Sequence, residues 1–151
     1  MSFLVRFVHV GAVSFLLGGA LLIALLFLFL RSRPTNDAGD GVLLELVKVY
    51  EWAFWAAVAM VVITGLGNLG RFGEGLPEPG SEWGQDLMLK LLLVLAFLMV
   101  SLVRTFSVAL VMLQDAGSQF ESCSSGLARL YWLTAALLGG VLASAVALAH
   151  F

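Results

Sequence analysis

From residue 7 to residue 30 the chain carries no charged side chain. About 20 consecutive apolar residues let an α-helix cross the ~30 Å hydrocarbon core of a bilayer. Inside that core every backbone N–H and C=O must be satisfied within the protein, so a single apolar stretch of this length can only be a helix. The apolar region of a secretory signal is shorter, about 7–15 residues. The segment, closed by Arg31, Arg33 and Pro34, is therefore read as a retained transmembrane helix. Comparable stretches follow, and the four predicted spans are 7–30, 46–70, 84–113 and 127–149. Hydrophobic residues make up 61% of the chain and charged residues 12%, against about 45–50% and 25% in soluble domains. No soluble core of this size could hide so much apolar surface. The expected fold is all-α: one domain, 1–151, forming an integral membrane four-helix bundle, up-down-up-down, with both termini on the same side.

The stretches between spans have turn composition. Residues 31–41 hold Asn36, Asp37, Gly39 and Asp40; residues 71–84 hold Pro77 and Pro79 with three glutamates; residues 114–126 hold Cys123 among serines. The second helix is expected to begin near Val42, with Glu45, Lys48 and Glu51 on its first turns. Glu51 with Lys48, and Asp86 with Lys90, have helical spacing for pairing and are read as interfacial ion pairs. Lys90 and Arg104 stand about 21 Å apart along the third helix, so each is expected to snorkel to an opposite interface. Residues 105–113 would then extend at or beyond the membrane surface. Trp52, Trp55, Trp83 and Trp132 are read as an interfacial belt, with Arg129 and Tyr131 as further anchors. Counting basic residues gives Arg31, Arg33, Lys48, Arg104 and Arg129 on one side, against Arg6, Arg71 and Lys90 on the other. The positive-inside rule makes the first side cytoplasmic, the termini external (periplasmic) and Cys123 cytosolic. The expected location is the cell (inner) membrane, multi-pass.

Small residues recur along the spans. Ala135, Gly139, Ala143 and Ala147 form an i, i+4 ridge on the fourth helix, and Gly11, Gly18 and Gly19 mark the first. Such ridges let helix backbones approach closely. Tight packing within the bundle is the expectation, and a face that docks on another subunit is the alternative.

Chemistry-bearing residues are few. The chain has two histidines, His9 and His150, which antiparallel counting places at the same membrane face. An imidazole in or near hydrocarbon is a candidate ligand for copper or haem iron. The competing reading gives His9 a hydrogen bond to a neighbouring helix and leaves His150 in the headgroup layer. The methionines show no clustered spacing and are read as apolar filler. Cys123 stands alone, so no internal disulfide or CxxC site exists. Thr64 and Ser101 are expected to bond their own helix carbonyls. No nucleophile–base constellation, phosphate loop or dinucleotide fingerprint occurs, so no enzyme is expected. A net charge of −2 without a basic run gives no reason for a nucleic-acid partner.

Three segments together resemble a known family. FVHVGAVSFLLGGALL (7–22) resembles the opening helix of copper-resistance D (CopD)-like membrane proteins, a histidine followed by a small, glycine-rich face. VVITGLGNL (61–69) resembles their Thr-Gly-ended helix. WGQDLMLKLLLVLAFLMVSLVRTF (83–106) resembles the next segment, a lysine-marked helix ending in a basic residue. The resemblance implies a small membrane protein that handles copper, with His9 as candidate metal ligand and Lys90 as a structural marker. The chain lacks a methionine-rich segment and further helices, which implies a subunit of a larger membrane complex. Two other readings stay open: a b-type haem electron-transfer subunit with His9 and His150 as ligands, and a purely structural accessory subunit.

Overall fold

The computed structural model describes residues 3–31, 37–69, 80–113 and 120–148. Four helices run through them: α1, Phe3–Arg31; α2, Asp37–Leu69; α3, Glu82–Leu113; and α4, Phe120–Leu148. Each contains a stretch long and apolar enough to cross a membrane: Phe3–Phe29, Gly41–Leu66, Gly84–Leu113 and Ser124–Val146. The all-α four-helix membrane bundle expected from the sequence is the fold observed.

The helices are longer than the apolar stretches that announce them. α2 starts at Asp37 rather than near Val42, and α4 starts at Phe120. Residues 120–126, expected as loop, are therefore helical. Polar side chains at a helix end cost nothing where the end projects into water, so hydrophobicity marks the spans but not the caps.

Neighbours alternate in direction. His9 of α1 meets Thr64 of α2, and Tyr50 of α2 meets Leu16 of α1. Glu51 of α2 meets Arg104 of α3. The start of α1 and the end of α4 thus share one end of the bundle. Around the ring the order is α2, α1, α4, α3. Close backbone packing joins α1 with α2, α1 with α4, and α3 with α4, whereas α2 and α3 approach only sparsely.

The α1–α2 contact depends on one glycine. A Cβ at Gly19 would overlap the ring of Tyr50, while Gly11 and Gly18 face open space. The Tyr50 ring lies flat where any other residue would intrude, and its hydroxyl donates to the Leu16 carbonyl at 3.0 Å. The core continues inward through Leu16, Ala20, Val47, Phe54 and Tyr131. Lipid-facing positions are large and apolar, among them Leu22, Met60, Leu92, Leu95, Met99 and Leu133.

The α4 ridge does not pack as expected. Ala135 is buried, yet a Cβ at Gly139 would meet nothing and Ala143 is exposed. Gly140, one residue along, is the position that faces α3, against Leu93. The ridge follows an i, i+4 row that winds off the bundle's contact line, and Ala147 lies outside the described side chains.

Candidate functional site: a buried polar cluster and an anchored histidine

Glu51, Arg104 and Tyr131 come from three helices and converge in the core. All are buried, with Arg104 and Tyr131 at 0% exposure. Counted along the helix axes from the centres of the spans, they stand about 4, 8 and 6 Å from mid-depth. The half-thickness of the hydrocarbon is about 15 Å. The ion pair therefore sits within the apolar layer, where an uncompensated charge is expensive.

Compensation is thorough. Arg104 Nε donates to Glu51 Oε1 at 2.8 Å, and Nη2 donates to Oε2 at 3.1 Å, a side-on fork. The Tyr131 hydroxyl adds a second bond to Oε1 at 2.6 Å, and the Thr105 hydroxyl adds one to Oε2 at 2.6 Å. Trp55 Nε1 in turn donates to Thr105 Oγ1 at 3.0 Å. Each carboxylate oxygen accepts two bonds, and the Thr105 proton, also within reach of the Ser101 carbonyl, is best spent on the charged acceptor. Aromatic rings enclose the cation: its guanidinium carbon lies 4.0 Å from the Phe54 ring centre, 4.6 Å from Tyr131 and 5.9 Å from Tyr50. Cation–π attraction strengthens when the cation is desolvated. The cluster bridges α2 and α3, the one seam without close backbone packing.

Several sequence expectations give way here. Arg104 does not snorkel; the tightly bonded carboxylate opposite offers more than an interface about 7 Å away. Glu51 pairs with Arg104 rather than Lys48, which instead lies 3.7 Å from Glu45 on the exposed face. Among the described residues no ion pair joins Asp86 to Lys90. Trp55 turns its N–H into the core at mid-span and does not serve an interfacial belt. Ser101, expected to bond its own helix, has a buried Oγ without a partner. Moving Arg104 into the core also leaves the basic asymmetry at four against three.

His9 occupies the opposite half of the bundle. Its Nδ1 lies 2.6 Å from Thr64 Oγ1, and Thr64 also lies 2.6 Å from the Met60 carbonyl and 3.1 Å from that of Val61. Carbonyls only accept, so the single Thr64 proton goes to its own helix and His9 Nδ1–H donates to the hydroxyl. In the neutral ring this tautomer leaves the Nε2 lone pair free. Metal-ligating histidines are typically held in this way, the second nitrogen anchored by a hydrogen bond. Gly65 borders the ring: a Cβ there would sit 3.9 Å from His9 Cε1. Among the described residues no group of three or more His, Cys, Asp or Glu side chains is placed to hold a metal. His150 lies outside the described residues, and of Cys123 only the backbone, in the first turns of α4, is described.

Fold and interior together define a multi-pass α-helical membrane protein with a polar cluster sealed at mid-depth. The family model for copper resistance protein D matches residues 44–148, α2 through α4, and the chain belongs to the CopD family. No curated protein and no solved structure gives a match. The matched region contains two of the three segments that resemble the family, together with Glu51, Arg104 and Tyr131. The first segment, with His9, precedes it.

Proposed function

We propose that this CopD-family bundle handles copper within the membrane, with His9 Nε2 as one ligand of the transient cargo ion. The anchored tautomer of His9 carries the reading. Imidazole nitrogen suits copper, and a ring whose Nδ1–H is already bonded to Thr64 meets a metal without first reorganising. Glu51 is a poor cargo ligand by comparison, since four donors already occupy its two oxygens.

A single imidazole is an incomplete copper site. The proposal therefore includes a role as a non-enzymatic subunit of a larger membrane complex, whose other members, or His150 of this chain, supply the remaining ligands. The test is a copper(I) titration of the purified protein in detergent against a chromophoric chelator. Wild type should compete for copper, and His9→Ala should lose most of that competition while keeping the four-span topology. His150→Ala should lose less. Equal copper retention by His9→Ala and wild type would refute His9 as ligand. A Soret band in the optical spectrum, lost in His9→Ala, would favour the haem alternative instead.

A further inference from the structure

Among the described residues two buried side-chain polar atoms have no hydrogen-bond partner, Arg104 Nη1 and Ser101 Oγ, and both residues are fully buried. Buried donors are nearly always satisfied, by protein groups or by ordered water. The two lie on one helix face, three residues apart. Helical side chains lean toward the N-terminus, so the Arg104 side chain runs back over the turn that carries Ser101. Its fork toward Glu51 uses Nε and Nη2, which leaves Nη1 directed elsewhere.

The α3–α4 register brings in a third group. Arg104 lies against Tyr131 and Leu93 against Gly140, so the antiparallel pairing sets Ser101 level with Thr134. Thr134 is also fully buried; its hydroxyl donates to the Leu130 carbonyl at 2.8 Å, leaving its lone pairs to accept. One level of this seam thus carries an unpaired donor, an unpaired hydroxyl and a hydroxyl with accepting capacity.

We propose that Arg104 Nη1, Ser101 Oγ and Thr134 Oγ1 hold one internal water molecule between α3 and α4. Water fits because it can accept from Nη1–H and donate to a hydroxyl oxygen, and buried waters typically make about three such bonds. Charge selects against an anion: Arg104 is already neutralised by Glu51, so an anion would add an uncompensated charge within hydrocarbon. The water would complete the solvation of Arg104 on the side that Glu51 does not reach, extending the cluster to Ser101 and Thr134.

A crystal structure of the whole chain from a lipidic mesophase, at a resolution that shows ordered water, tests this. Density within hydrogen-bonding distance of Arg104 Nη1 and at least one of the two hydroxyls is expected, and it should disappear in the Ser101→Ala, Thr134→Val double variant while the Glu51–Arg104 fork remains. Nη1 resting on ring faces without density beside it would overturn the proposal, as would density that survives in the double variant. A bromide soak gives the remaining discrimination: an anomalous peak at this position would mark an anion and overturn the assignment to water. None of these outcomes depends on whether His9 binds copper.

Discussion

At the scale of single residues, the energetics of Glu51 and Arg104 are asymmetric. Removing one partner of a buried pair leaves an uncompensated charge and typically costs about 3–5 kcal/mol, whereas replacing both by apolar residues is often neutral or stabilising. Arg104→Met should therefore strip most of the bundle's thermal stability in detergent, and so should Glu51→Leu. The combined Glu51→Leu, Arg104→Met variant should recover much of the loss. Tyr131→Phe and Thr105→Val each remove one donor from the carboxylate and should cost about 1–3 kcal/mol, the range for leaving a buried partner unsatisfied. Thermal unfolding followed by circular dichroism measures the set; additive losses in the double variant would mean the two side chains do not act as a pair.

At the scale of helices, the glycines separate by what faces them. Gly19→Ala forces Tyr50 from its place against α1 and should lower the unfolding temperature markedly, because the ring is packed against Phe15, Phe54 and Tyr131. Gly18→Ala, one residue away, meets nothing and should be tolerated or slightly stabilising. Gly139→Leu should likewise leave the isolated chain's unfolding temperature unchanged, and a large drop there would place the α4 ridge inside the bundle after all. The spans themselves were readable because lipid demands long uncharged runs. Which glycine contacts which helix was not, since that depends on rotation about each helix axis, which a composition of nearly uniform hydrophobicity leaves open. The ion pair was hidden for a related reason. Glu51 has Lys48 three residues away and Arg104 falls toward one end of an apolar run, so local explanations were available for both. The missed signal was their opposite charge within two predicted adjacent helices, at positions that antiparallel counting sets level. His9 stands out in the sequence as a polar ring needing a partner, and the hydrogen bond to Thr64 is the one that the competing, non-ligand reading expects.

At the scale of the molecule, three seams of the ring are closed by backbone proximity and the fourth by side chains. We propose that the α1–α2 and α3–α4 connections face the cytoplasm, which makes Cys123 refractory to an impermeant maleimide in intact cells and reactive after permeabilisation; rapid labelling of intact cells would reverse the orientation. The Glu51–Arg104 cluster is what holds α2 against α3 in lipid. Spin labels at Leu46 and Leu110, exposed positions level with each other on those helices, report the seam directly by electron–electron double resonance in nanodiscs. One narrow distance distribution is expected with Glu51 and Arg104 in place, broadened or lengthened when Arg104→Met breaks the pair. A broad distribution with the pair intact, or an unchanged narrow one without it, would mean that the ion pair does not hold this seam.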